Sequence, residues 1–167
     1  MTSEQEVLLH VARVLTNLKI PHMVTGSVAS SFHGRPRFTH DADIVIDPSP
    51  DQLETLVRAL ADGGFYVDPG RARDALRRRL QFNTIETKSA FKIDLIIRKD
   101  RSFSHEELGR RETAELSPGR KLAMASAEDT ILSKLEWSKK TGRSQKQIED
   151  AAGETPGGTL SSWPPIR

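Results

Sequence analysis

Three aspartates, one glycine and one serine carry most of the chemical information in this sequence. Asp41 and Asp43 lie two residues apart, and thirteen residues separate Asp41 from the dipeptide Gly26-Ser27. Alternate side chains of a strand point to the same face, so a strand beginning at Asp41 would hold both carboxylates on one side. Carboxylates this close repel each other unless a cation lies between them, and their oxygens are ligands that Mg²⁺ and Mn²⁺ prefer. The pair therefore predicts a metal site, with a solvated loop or a helix cap as the alternative.

The residues around Gly26 predict a phosphate site beside this pair. Residues 22–25, HMVT, indicate a short strand that stops at Gly26, and residues 27–33 can form the helix that follows. A glycine lets a ligand approach the backbone closely, and the free N–H groups at a helix N-terminus bind anions. The Ser27 hydroxyl would lie beside those N–H groups. The alternative is that Ser27 only caps the helix.

A third carboxylate lies in a later strand. Residues 90–98, AFKIDLIIR, are strongly apolar except for the charged residues, and Asp94 is in their middle. An ionised aspartate in such a strand is costly without a partner. One partner could be Lys92, which shares a strand face with Asp94, in an ion pair at a sheet edge. The other possibility is that Asp94 joins Asp41 and Asp43 around a metal.

The order of these features resembles that of a known enzyme superfamily. A strand, Gly-Ser, about a dozen residues, Asp-x-Asp and a later strand with a third Asp are similar to the nucleotidyltransferase fold of the DNA polymerase β superfamily, over residues 22–97. More narrowly, Gly34-x-x-Arg37-x-Thr39-x-Asp41-x-Asp43 resembles small prokaryotic nucleotidyltransferases, including the AbiEii and MenT toxins of type IV toxin–antitoxin systems. The chain departs from the family at Thr25, where an apolar residue is usual, and its spacer is long.

The resemblance assigns roles to single residues. It implies that Asp41, Asp43 and Asp94 hold two Mg²⁺ or Mn²⁺ ions, and that Gly26 and Ser27 cradle the phosphates of an NTP substrate. Two further cations would contact the triphosphate: Arg37, and Lys134 in a segment similar to a family helix whose lysine reaches the nucleotide phosphates. Asp150 resembles part of the acidic helix that follows. Arg37 could instead pair with Asp47, and Lys134 could be an exposed helix residue.

The rest of the chain predicts the elements that position these residues. Apolar residues recur at helical spacing from about Ser3 to Leu18, and further helices are expected around 53–60, 70–79, 103–110 and 127–140. Strands are expected at 22–25, 41–47, 65–67, 80–87 and 90–98, with another extended segment within 116–125. This order predicts an α/β (α+β) fold, a mixed β-sheet with flanking helices.

Composition limits the class of protein. The chain has 167 residues, no cysteine and a net charge of +2, and 36% of its residues are hydrophobic. Disulfides and thiolate metal sites are therefore excluded. The N-terminus lacks the pattern of a signal peptide, and no apolar run approaches the ~20 residues that span a bilayer. We expect a cytoplasmic protein that does not interact with a membrane.

Two segments differ from the rest in composition. Arginines cluster within residues 71–79, where a solvated helix face is the ordinary interpretation and a contact with nucleic-acid phosphates is the alternative. Residues 151–167 are rich in Gly, Pro, Ser and Thr and are expected to be disordered. We thus predict a nucleotidyltransferase domain over 1–150, with C-terminal helices from about 126, and an atypical tail. Similar proteins continue with an apolar helix, so the tail is expected to reflect a truncation or a reading-frame change.

The predicted activity is transfer of a nucleoside monophosphate from an NTP to a hydroxyl group. The resemblance implies RNA, such as a tRNA end, or a protein as the acceptor, and a toxin or antitoxin as a partner. Two alternatives remain open at this stage. The first is a nucleotide-binding regulatory or antitoxin-like module without turnover, and the second is a structural or RNA-binding domain with relic carboxylates.

Overall fold

The computed structural model describes residues 4–33 and 41–140, without the side chains of 117 and 137–140. Its helices are α1 (Glu4–Asn17), α2 (Gly26–His33), α3 (Pro50–Asp62), α4 (Pro69–Arg78), α5 (Ser102–Gly109) and α6 (Ala127–Lys140). Its strands are β1 (His22–Thr25), β2 (Asp41–Ile46), β3 (Phe65–Val67), β4 (Gln81–Glu86), β5 (Lys92–Ile97), β6 (Glu112–Ser117) and β7 (Arg120–Met124). The predicted fold class is confirmed.

All seven strands belong to one mixed sheet, in the order β3-β4-β5-β2-β1-β7-β6. Two neighbouring pairs, β2 with β5 and β1 with β7, are parallel, and the others are antiparallel. The two strands that carry the predicted carboxylates, β2 and β5, are therefore direct neighbours near the centre of the sheet.

One face of the sheet forms the main core. The buried residues of this face include Ala42, Ile44 and Ile46 of β2 and Ile93, Leu95 and Ile97 of β5, which pack with α1, α3 and α4. Alternation along a strand then sends the residues between them to the opposite face. On β2 these are Asp41, Asp43 and Val45, and on β5 they are Lys92, Asp94 and Ile96. The apolar core thus fixes the direction in which the carboxylates point.

Local sequence signals explain where several helices start and stop. Ser49 and Gln52 form a reciprocal capping box at the start of α3, with Pro50 in the first turn. Asp68 caps α4 by accepting a hydrogen bond from the Arg71 N–H. Helix α4 ends at Arg78, and the next residue, Arg79, adopts the left-handed conformation with φ 53°.

The structure changes some predicted boundaries. Strand β2 ends at Ile46 rather than at 47, because Asp47 leaves the strand to accept hydrogen bonds from Arg98 and Arg79. The extended segment expected within 116–125 is a hairpin of β6 and β7 around Gly119. The helix start predicted at about Ser3, the boundary at residue 150 and the disordered tail at 151–167 fall outside the described ranges and stay predictions. Within the described residues, no helix combines the length and hydropathy needed to cross a membrane.

Candidate active site

A row of polar side chains crosses four neighbouring strands on the face opposite the main core. Asp43 is paired in register with Thr25 of β1 and with Asp94 of β5, and Asp94 is paired with Asn83 of β4. Neighbouring strands are about 5 Å apart, so the Asp43 and Asp94 carboxylates are direct neighbours. The sheet register therefore brings together two residues that are 51 positions apart in the sequence.

The third carboxylate and a lysine form the next row on the same face. Asp41 is paired in register with Lys92, one step along β2 and β5 from Asp43 and Asp94. The Lys92 ammonium group lies 2.9 Å from Asp94 Oδ2 and 3.8 Å from Asp41 Oδ2. Asp94 thus pairs with Lys92 and also lies beside Asp43 with Asp41 on the same face, while its role as a metal ligand stays a prediction. The expectation that this ion pair lies at a sheet edge is wrong, because β5 is flanked by β2 and β4.

Burial and neighbouring negative charge together determine the electrostatics of the cluster. The pKa of Asp43 is raised to about 6, first by burial, then by the Asp94 and Asp41 carboxylates, while Lys92 opposes the shift. Hydrogen bonding to Asp94 raises the pKa of Lys92. One ammonium group does not neutralise three carboxylates, and a further cation at Asp43 would remove the remaining repulsion.

Helix α2 begins directly beside Asp43. Gly26 is the first residue of the helix and has φ +65°, and a Cβ at this position would overlap Asp43 Oδ2 and lie 2.9 Å from Cγ. The Ser30 hydroxyl donates a hydrogen bond to the Gly26 carbonyl oxygen within the first turn. The Ser27 side chain is half-buried, next to the free N–H groups of this turn. The absence of a side chain at Gly26 is thus what lets the acidic cluster and a helix N-terminus meet.

The three carboxylates suit a hard divalent cation, although Lys92 contacts two of them, Asp41 and Asp94, in this structure. Three carboxylates are the oxygen ligands that Mg²⁺ and Mn²⁺ favour, and a bound cation would offset the repulsion between Asp43, Asp94 and Asp41 that contributes to the raised pKa of Asp43. Across 4–33 and 41–140, however, no group of three His, Asp or Glu side chains is arranged as a metal cage. Lys92 would have to release Asp41 and Asp94 for all three to bind metal.

Two predicted triphosphate contacts are not tested by this geometry. Arg37 lies outside the described residues, as does Asp150, so their roles stay predictions. Lys134 is half-buried on α6, a helix that packs against α2. The alternative partner proposed for Arg37, Asp47, is bound by Arg98, with Nε and Oδ2 2.8 Å apart.

Sequence reasoning missed two members of the site. Asn83 lies in the polar row, and Lys92 was considered only as a local partner of Asp94. Alternation along residues 81–86 places Asn83 opposite the buried Phe82 and Thr84, which is the one signal that could have identified it. A single sequence does not say that β4 lies next to β5 in this register, so the signal could not be connected to Asp94.

We expect Lys92→Met to make divalent metal binding tighter. The variant keeps an unbranched side chain but removes the ammonium group that competes for Asp41 and Asp94. Because the Lys92 side chain is 38% exposed, its loss should lower the free energy of unfolding of the metal-free protein by about 1 kcal/mol or less. Affinity for Mn²⁺ should rise about five-fold or more, measured by titration calorimetry.

Lys88→Met is the matched control, because Lys88 is an exposed lysine in the turn between β4 and β5. Its Mn²⁺ affinity should equal that of the unchanged protein. Equal Mn²⁺ affinities for the Lys92 and Lys88 variants would show that Lys92 does not compete for the carboxylates.

Comparison with known proteins identifies the fold. Neither a protein-family model nor a curated protein matches the sequence. Among solved structures, the lincosamide antibiotic adenylyltransferase LnuA, with lincomycin bound, is similar with a TM-score of 0.60 and 12% identity, over 92% of this chain and 98% of that chain. The antibiotic-resistance factor ANT(2'')-Ia is similar with a TM-score of 0.57 and 17% identity, over 90% and 82% of the two chains.

A third similar structure is an antigenic nucleotidyltransferase-like protein from Paracoccidioides brasiliensis. Its TM-score is 0.60 at 18% identity, and the match covers 90% of this chain and 74% of that chain. At these identities the likeness concerns the fold alone. The chain thus has the fold of nucleotidyltransferases, as the resemblance of residues 22–97 implied.

Proposed function

We propose that this chain is a metal-dependent nucleotidyltransferase that transfers a nucleoside monophosphate from an NTP to a hydroxyl group. The observation that carries the proposal is the register of β2 and β5, which places Asp94 beside Asp43 with Asp41 on the same face. These three carboxylates adjoin a helix N-terminus whose first residue is a glycine. An acidic cluster and an anion site side by side suit a metal–triphosphate complex.

The residues have distinct roles in this proposal. Asp41, Asp43 and Asp94 hold Mg²⁺ or Mn²⁺, which when bound neutralises charge on the phosphate oxygens. The backbone around Gly26 and Ser27 binds the β and γ phosphates through N–H groups. Arg37 and Lys134 are proposed as further triphosphate contacts, in line with the family resemblance.

The chemical step forms one bond and breaks one. The acceptor hydroxyl oxygen attacks the α-phosphorus, the bond from that phosphorus to the oxygen bridging to the β phosphate breaks, and pyrophosphate leaves with the electron pair. In this proposal Asp94, whose side chain is 15% exposed, accepts the hydroxyl proton, directly or through water. Orientation of the two reactants supplies most of the remaining rate enhancement.

The acceptor is the part of the proposal that the site constrains least. We propose a hydroxyl of RNA, such as a tRNA end, or of a protein, as the resemblance to AbiEii and MenT nucleotidyltransferases implies, with a toxin or antitoxin as partner. The structural neighbours offer another class, since one ANT(2'')-Ia structure contains adenylyl-2''-tobramycin and LnuA binds lincomycin. A small antibiotic is therefore included among the acceptors to be tested.

The proposal is tested by incorporation of labelled nucleotide. Each of the four α-labelled NTPs is incubated with the protein, Mg²⁺ and one acceptor class at a time: total tRNA, cell protein or an aminoglycoside and a lincosamide. We expect label in one class, and none with Asp43→Ala. Asp62→Ala, a carboxylate exposed at the end of α3, is the matched control and should retain full activity. Incorporation that is unchanged in Asp43→Ala would refute the proposed site.

Lys92 favours a second candidate function, a nucleotide-binding module without turnover. Its ammonium group already holds Asp94 and Asp41, the carboxylates that metal-dependent transfer requires. Such a module would bind NTP and be stabilised by it, yet give no labelled product with any acceptor. Product formed by Lys92→Met but not by the unchanged protein would identify Lys92 as the residue that suppresses turnover.

A further inference from the structure

A basic groove lies between α1 and the β6–β7 hairpin, away from the acidic cluster. Its volume is about 1000 Å³. Among the described residues, one carboxylate, Glu6, lines the groove. The cationic side chains that line it are all exposed: Arg13, Lys19, Arg111, Arg120 and Lys121. The chain carries a net charge of only +2, so this concentration of positive charge is local.

The groove cations differ from the other large arginine cluster in their pairing. On α4, Arg73 binds Glu54, and Arg77 and Arg78 both bind Asp74. Each of these three arginines therefore has a carboxylate partner, as expected for a solvated helix face.

In the groove, charge is largely uncompensated. Arg120 lies 4.0 Å from Glu6, and Arg111 donates a hydrogen bond to the Leu108 carbonyl oxygen. Arg13, Lys19 and Lys121 form no ion pair with any residue in the described ranges. Closely spaced unpaired cations repel each other, and a polyanion placed between them would relieve that repulsion.

The two walls hold the cations by backbone geometry. One wall is α1 and its C-terminal turn, where Lys19 adopts the left-handed conformation with φ 55°. The other wall is the hairpin, whose turn at Gly119 has φ +75° and places Arg120 and Lys121 at the start of β7. Cations on two separate elements that face one groove form an extended region of positive charge. Such a region suits a chain of phosphates better than a single anion.

We propose that this groove binds the phosphate backbone of RNA. The choice of RNA rests on the proposed function, because the predicted acceptor is a hydroxyl and RNA carries one at its 3′ end. Helix α1, one wall of the groove, packs on the core face of the sheet, whereas the acidic cluster lies on the opposite face. An RNA held along α1 therefore does not cover the acidic cluster, and its 3′ end would have to pass around the sheet to reach the carboxylates.

The test measures binding of a labelled RNA hairpin with a single-stranded 3′ end by fluorescence anisotropy. All variants are made in the full chain with Asp43→Asn added, so that no transfer occurs during the measurement. The double change Arg120→Glu/Lys121→Glu should raise Kd about 10- to 100-fold at about 0.1 M salt and reduce the salt slope by about 2. Arg71→Glu/Arg77→Glu, on exposed α4, is the matched control and should change Kd by less than about two-fold.

A variant on the opposite wall and two competing ligands complete the test. Arg13→Glu, on the opposite wall, should weaken binding independently of the hairpin, and thermal unfolding confirms that each variant is folded. Equal Kd values for the groove and α4 variants would overturn the proposal, as would tighter binding of a DNA hairpin or an acidic protein than of the RNA. Groove-dependent RNA binding by the Asp43→Asn protein, with no labelled RNA formed by the unchanged protein, would support the groove while the proposed activity fails.

Discussion

The Asp43→Asn variant is expected to lose about a thousand-fold or more in nucleotidyl transfer and at the same time to become more stable than the unchanged protein. The activity falls because the amide cannot replace a carboxylate as a ligand for Mg²⁺. The stability rises because burial, and then the neighbouring Asp94 and Asp41 carboxylates, raise the pKa of Asp43 to about 6. Neutralising this residue removes a repulsion that the folded state otherwise contains.

The sign of the effect follows from proton linkage. The pKa of Asp43 in the folded protein is above its ordinary value of 3.8, so folding favours the protonated form. The contribution of Asp43 protonation to the free energy of unfolding is fully present below about pH 4 and is lost as the pH rises through about 6. In metal-free buffer the unchanged protein should therefore be up to about 3 kcal/mol less stable than Asp43→Asn near pH 7, and nearly equal to it near pH 4.

Chemical unfolding with EDTA at several pH values measures this difference. Added Mg²⁺ should stabilise the unchanged protein and leave Asp43→Asn almost unaffected, because only the former retains all three ligands. A stability difference that does not vary with pH would contradict the electrostatic explanation. Full activity in the more stable variant would contradict the assignment of Asp43 to the site.

Several parts of this arrangement could be predicted from local sequence. The alternation of Asp41, Ala42, Asp43 and Ile44 was enough to place two carboxylates on one face and the apolar residues in the core. The apolar stretch around Asp94 was sufficient to predict its strand. Their meeting depends on the parallel register of β2 and β5, which no local pattern predicts; the family resemblance implied only that the three carboxylates share one site.

What could not be predicted depends on contacts between distant segments. Lys92 holds both Asp94 and Asp41, and the second of these pairs exists only because Lys92 and Asp41 are opposite each other in the sheet. The basic groove has the same origin, since Arg13 and Lys121 are separated by more than a hundred residues. Local patterns report on neighbours in sequence, whereas charge clusters of this kind are made by register and packing.

Gly26→Ala is expected to damage the site without removing any of its functional groups. An alanine at φ +65° would carry a strain of about 1–2 kcal/mol. Its Cβ would also overlap Asp43 Oδ2 and lie 2.9 Å from Cγ, so the carboxylate would have to move. A displacement of about 1 Å at a reacting centre costs about a hundred-fold in rate, which is the loss we expect in labelled-nucleotide transfer.

Gly64→Ala separates strain from displacement. Gly64 also has a positive φ, +86°, but a Cβ there would meet only Thr87 Oγ1 at 3.9 Å, an ordinary contact. This variant should lose about 1–2 kcal/mol of stability and keep its activity. If Gly64→Ala and Gly26→Ala lost activity equally, displacement of Asp43 would not be the cause.

A double-mutant cycle with Asp43→Ala then isolates the contact itself. In the Asp43→Ala protein the Oδ2 and Cγ atoms are gone, so Gly26→Ala should cost only the backbone strain, about 1–2 kcal/mol. In the unchanged protein it should cost about 1 kcal/mol or more beyond that, and the difference is the coupling energy of the pair. A coupling energy near zero, measured by chemical unfolding, would mean that Asp43 moves freely out of the way. A positive coupling energy would show that the Asp43 carboxylate has a fixed position beside Gly26, at the start of helix α2.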